Sequence, residues 1–211
     1  MINYKNRYLL SIIAFTTFSF GLALQIKADI GQSMMTAFGL AFADLFYIKV
    51  GTALNIINIS MFVIDLILKK FEFKKTDLIQ LIATYANGIL VNIFVYDLLG
   101  TWTLDSIVVK YVVFFIGVIL APLSLGLMVS YGIIQFPLES LCLTISKIAN
   151  KTVSFIRYSF DVVLLALCLI LLLVPQVHLY IREGSIISFL LLSYVFGKSF
   201  DYFKKQITTN K

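Results

Sequence analysis

Charge is scarce in this sequence: only 13% of the 211 residues are Asp, Glu, Lys or Arg, against about 25% in an ordinary soluble domain. That excludes a disordered chain, which needs low hydrophobicity and high charge. Cysteine is nearly absent, with two residues, which excludes a disulfide scaffold and a paired-cysteine metal site. Cys142 and Cys168 both fall in apolar segments and read as small hydrophobes rather than as halves of a bridge. There are three prolines and one histidine, His178. His-Glu-x-x-His and Walker motifs are missing. Gly31-Gln32-Ser33 has a serine in a glycine setting, but no intramembrane histidine accompanies it to act as base. We therefore expect no catalytic residue, no metal ligand, no cofactor and no enzyme.

What the sequence does have is apolar residues, 60% of the total. A soluble core of this size could not hide that excess, so the chain reads as an all-α polytopic membrane protein, with residues 1–211 as one transmembrane domain. The net charge is +6, but the cations sit between apolar runs and at the two ends, not on a basic face. We expect no nucleic-acid partner and assign the lipid bilayer instead. The apolar run that follows Lys5 and Arg7 is too long for a signal peptide and lacks a small-x-small cleavage site, so it reads as the first span.

A span needs about 20 mostly apolar residues. Six segments qualify: Tyr8–Ile26, Gly51–Leu68, Leu78–Leu99, Ile107–Tyr131, Val153–Val174 and Ser185–Phe203. Ser33–Ile48, which carries Asp44, and Pro137–Ala149, which carries Glu139 and Lys147, are shorter. A helix of thirteen residues reaches only about 20 Å and cannot cross a core of about 30 Å. Both read as re-entrant or interfacial helices. With the N-terminus inside, this arrangement leaves Lys27, Lys49, Lys110 and Arg182 outside and the rest of the 17 Lys and Arg in the cytoplasm. An eight-span arrangement moves the Lys69–Lys75 loop outside and weakens that asymmetry. The expected topology is cytoplasmic N- and C-termini in a bacterial plasma membrane, with the acidic GTWTLDS loop outside.

The order of segments repeats. FSFGLAL around Gly21 matches LSLGLMV around Gly126, and Tyr85–Asn92 (YANGILVN) matches Tyr194–Asp201 (YVFGKSFD). Each half, about 8–99 and about 107–203, reads span, short segment, span, span. Three crossings per half turn the second copy upside down, an inverted-repeat architecture common among secondary transporters. Gly21, Gly88, Gly117, Gly126 and Gly197 are expected to permit close helix packing.

Four stretches carry a family resemblance: Phe20–Ser33 (FGLALQIKADIGQS), Gly51-Thr52, Arg157-x-x-x-Asp161 and the GSII…FGKSFDYF block near the C-terminus. In these the chain is similar to the YczE/YitT-like family of bacterial integral membrane proteins. The resemblance implies a multi-span plasma-membrane protein of Gram-positive type with no settled reaction. Some relatives look like accessory proteins for secondary-metabolite production. Where relatives often carry a Pro-Trp-Asp-like cluster, this chain has Gln32-Ser33-Met34-Met35.

Ionisable residues inside apolar segments are candidate functional groups, because each costs roughly 2.5–3.5 kcal/mol at a helix centre. Arg157 and Asp161 are four apart and share a helix face. They form either a structural ion pair, with Arg157 snorkelling to water, or a substrate contact. Glu139 follows Pro137 at a helix start, where the dipole favours an acid; alternatively it faces a cation or proton in a cavity. Gln32 and Ser33 begin the corresponding first-half helix and suit an anion better. Asn92 and Asp201 pair in the repeat alignment. Taken together these residues suggest a small-molecule or ion transporter-like protein with a substrate site between the repeats. The alternative is a non-transporting accessory protein that supports a membrane-protein partner complex, for example in secondary-metabolite production or export.

Overall fold

The computed structural model describes residues 4–73, 75–131 and 135–209. Lys74 and Lys211, two of the cations assigned to the cytoplasm, lie outside the described residues. The elements are α1 (Tyr4–Ala28), α2 (Met34–Phe46), α3 (Val50–Leu68), α4 (Lys75–Asn92), α5 (Ile107–Tyr131), α6 (Pro137–Ala149), α7 (Val153–Leu171) and α8 (Glu183–Thr209). A π-helical turn, Ile93–Leu98, continues α4. The described residues contain no strand. Five stretches are long and apolar enough to cross a membrane: Leu9–Ala28, Val50–Leu68, Asp77–Leu98, Ile107–Tyr131 and Glu183–Gln206. They carry the pattern of a polytopic membrane protein. α7 has 19 residues, as many as α3, whereas α2 and α6 have 13 each. The last turn expected of α7 is missing. The chain leaves the helix at Leu172, ahead of Pro175, which restricts the residue before it and offers no N–H to a helix.

The chain divides into two compact units, and each draws helices from both sequence halves. The first comprises Met1–Ser33, Leu90–Ile134 and Ile181–Lys211. Here α5 packs along α1 and along α8, and α1 also meets the π-helical turn. Backbone contact sets the α1–α5 crossing. A Cβ on Gly117 would lie 2.6 Å from the Gly21 carbonyl oxygen, and one on Gly21 would lie 2.9 Å from the Ala121 nitrogen. Gln25 adds a hydrogen bond from Nε2 to the Gly117 carbonyl at 3.2 Å. The α5–α8 seam is equally tight: a Cβ on Gly126 would lie 2.4 Å from Ser199 Oγ, which itself donates to the Leu123 carbonyl. Gly197 departs from expectation. A Cβ there meets nothing within 4 Å, so it supports no close packing.

The second unit comprises Met34–Ile89 and Gln135–Tyr180. Its core joins four helices: Met34 from α2; Ile57 and Met61 from α3; Leu138, Leu141 and Cys142 from α6; Ile156 and Leu164 from α7. α2 packs on α3 and α7, and α6 packs on α7 and α3. Both cysteines are buried free thiols, as their apolar settings suggested.

Candidate functional site

The short helix α6 positions the best candidate. Phe136 is extended, Pro137 opens the first turn, and Glu139 follows within that turn, where the unpaired N–H groups and the dipole favour an acid. Asn150 ends the helix in the left-handed conformation, φ 52°, which Asn tolerates better than most residues. Thr152 then caps α7, its hydroxyl accepting the Phe155 N–H at 3.3 Å. The connection between the two helices is therefore a short, defined turn.

Arg157 projects from the second turn of α7 and meets Glu139 of α6, with Nη1 donating to Oε1 at 2.9 Å. One turn further along α7, Asp161 Oδ2 lies 3.7 Å from Arg157 Nε, an ion pair too long for a hydrogen bond. The Arg157 Nε–H is buried and has no hydrogen-bond partner among the described residues. The side chains are 17% (Arg157), 15% (Glu139) and 8% (Asp161) exposed. Asp161 sits next to the midpoint of α7. Two carboxylates thus share one guanidinium beside the apolar core of the unit. With all three groups ionised, the cluster carries one negative charge in excess, and buried charge is costly unless it is paired. The excess carboxylate can hold a cation or a proton. The guanidinium, with an N–H to spare, can hold an anionic or carbonyl oxygen.

The other expected site residues lie elsewhere. Gln32 and Ser33 are buried in the first unit. There the Gln32 N–H donates to Ser185 Oγ at 2.9 Å, and its Nε2 donates to the Gln25 carbonyl at 2.8 Å. Its Oε1 has no hydrogen-bond partner among the described residues. Gly184 N–H donates to the Ile30 carbonyl at 3.2 Å, so the break after α1 is tied to the start of α8. Asn92, half-buried at the end of α4, and Asp201, exposed on α8, also belong to the first unit.

Two polar clusters of the second unit were not anticipated. Asp65, 1% exposed, accepts from Lys69 Nζ, from Ser140 Oγ at 2.7 Å and from Thr144 Oγ1. The spacing of Asp65 and Lys69, i to i+4, was a readable signal; the α6 hydroxyls had none. The Asp44 carboxylate of α2 accepts from the backbone N–H of His178 at 3.0 Å and from Tyr180 Oη at 2.9 Å. It also lies 2.9 Å from His178 Nδ1. These partners are more than 130 positions away, beyond the reach of spacing arguments. Among the described residues no group of three or more His, Cys, Asp or Glu side chains is placed to hold a metal ion.

Among known proteins, residues 5–199 match the family of unknown function DUF6198. The uncharacterized protein YyaS of Bacillus subtilis (strain 168) is 24% identical over 164 residues, which is 78% of this chain and 80% of that protein. No solved structure matches.

Proposed function

The chain belongs to this family of unknown function, DUF6198, and from that premise we propose that it is a multi-pass membrane protein that binds and moves a small molecule or ion. The observation that carries this reading is the Glu139–Arg157–Asp161 cluster, in which one guanidinium serves two largely buried carboxylates. A purely structural ion pair needs one acid. The second acid, at mid-helix, adds desolvation cost without balancing charge, which is the signature of a group kept for function. The first acid, Glu139, stands at the start of α6, a helix too short to span, which suits a site reached from one side of the bilayer.

The same reading includes six spans, cytoplasmic termini and a bacterial plasma membrane. α7 supplies the sixth span by its length. One set of helix contacts supports a repeat, and the odd number of crossings per half is what makes the repeat inverted in this reading. Exchanging α2 with α6 and α3 with α7 maps the contacts among these four helices onto themselves. Two of the four cations assigned to the outside make contacts within the first unit: Lys27 with the Gly100 carbonyl, and Arg182 with Asp29.

The experiment is uptake into vesicles of purified protein, with thermal shift across metabolite and ion panels, comparing wild type with Arg157→Ala and Asp161→Asn. Substrate-dependent flux lost in both variants supports transport; no flux and no shift across broad panels rejects it. The accessory reading, to which the YczE/YitT-like resemblance points, is favoured by one observation. α8 leaves Ile186, Leu190, Tyr194 and Tyr202 exposed at four- and eight-residue steps. Crosslinking in native membranes separates the two readings: a stoichiometric protein partner on this face supports the accessory role.

A further inference from the structure

Lys69 ends α3 and turns its side chain back one helical turn. Its ammonium donates to the Asp65 carboxylate and also to Ser140 Oγ on α6, at 3.0 Å. Ser140 Oγ in turn donates to Asp65 at 2.7 Å. Thr144 Oγ1 touches the other carboxylate oxygen and lies 3.1 Å from the Ser140 carbonyl oxygen. One positively charged nitrogen therefore sits against a carboxylate that is 2% exposed and a serine hydroxyl, with the Thr144 hydroxyl on the far oxygen of the same carboxylate. A carboxylate and hydroxyl oxygens are donors that suit a hard cation. An ammonium is close in size and charge to K⁺ and offers nothing that such oxygens cannot equally give a free ion. The Lys69 side chain is 29% exposed, so the charge reaches the site from the helix end.

We propose that Asp65, Ser140 and Thr144 form a monovalent-cation site whose resident cation is the chain's own Lys69 ammonium. The tethered charge holds α6 on the end of α3 without any dissolved ion, so the native protein is insensitive to the identity of the salt. Removing the tether converts the same oxygens into a site for K⁺ or a small alkylammonium. This stands independently of the transport reading, because it concerns a different cluster and is read out without a transported substrate.

The test is thermal unfolding of purified Lys69→Ala in potassium, propylammonium or choline chloride at equal ionic strength. Choline, too bulky for the site, is the control. K⁺ or propylammonium should raise the Tm of Lys69→Ala by about 3–6 °C over choline at ten times its Kd. Wild type and the Lys69→Ala/Asp65→Asn double variant should unfold alike in all three salts. Equal Tm values for Lys69→Ala in all three salts, or a wild-type response as large as the variant's, would overturn the proposal. Should Lys69→Ala not yield folded protein, amine acylation of the wild type decides. Lys69 should react several-fold more slowly than the exposed Lys70, with Asp65→Asn removing the difference; equal rates in wild type contradict the assignment.

Discussion

The two units are built from the same kind of helix but held by different physics. In the first, α1, α5 and α8 meet backbone to backbone at Gly21, Gly117 and Gly126, with neutral polar links from Gln25, Gln32, Ser185 and Ser199, and the charged contacts, Lys27 with Gly100 and Arg182 with Asp29, fall at helix ends and loops. In the second, α6 is anchored by ionised groups: Glu139 to Arg157, and Ser140 and Thr144 to Asp65. Lipid gives helices no hydrophobic reason to associate with one another, so small residues and hydrogen bonds must supply the contact. The first unit does this in the least costly way. The second retains charges that simple packing does not call for. Substitutions in each unit probe that difference.

Arg157→Ala should have the largest effect. It leaves Glu139 and Asp161 facing each other's charge without a cation, a loss of about 3–5 kcal/mol, seen as a large drop in unfolding temperature in detergent. Gly117→Leu comes next. Its Cβ would fall 2.6 Å from the Gly21 carbonyl oxygen, which is backbone and cannot swing away. Overpacking of this kind costs about 1–3 kcal/mol, measurable by the same unfolding. Its distinguishing mark is loss of α1–α5 disulfide trapping between introduced cysteines, with the second unit's helices still protected from hydrogen exchange. Ser185→Ala removes the acceptor for the Gln32 and Arg182 N–H groups, and a lost buried partner costs about 1–3 kcal/mol. Hydrogen exchange should rise at Gln32. Gly197→Ala should have the smallest effect, and a favourable one: with open space around its Cβ, the gain in helix propensity is up to about 1 kcal/mol. A Tm that falls would restore Gly197 to the set of packing glycines.

Much of the fold was legible in the sequence. Ile107–Tyr131 and Pro137–Ala149 have the expected bounds, because apolar runs and the Pro137 start signal are local. The Arg157–Asp161 pair was legible for the same reason. The Glu139–Arg157 contact was not. With the turn centred near residue 151, equal rise along two antiparallel helices would put Glu139 opposite a residue at about 163. Its meeting with Arg157 instead depends on how α6 packs on α7 and on the reach of two long side chains, neither of which spacing decides. Asp65 escaped because its partners, Ser140 and Thr144, lie on a different helix and look unremarkable as polar residues of a short segment. Gln32 and Ser33 lie just ahead of α2, which begins at Met34, and the hydrogen bonds that Gln32 makes to Ser185 and Gln25 depend on a chain reversal that local spacing does not encode.

In the proposed function Asp161 serves a ligand and not the fold. Asp161→Asn tests it most directly, because Arg157 and Glu139 remain as a balanced pair. The measurement is the ligand-induced thermal shift of wild type and Asp161→Asn side by side, across one panel of ions and small metabolites. The variant should unfold at or slightly above the wild-type temperature in the absence of ligand, and a ligand stabilising the wild type should leave the variant unmoved. A ligand that shifts both equally, or a variant that is strongly destabilised on its own, would contradict it.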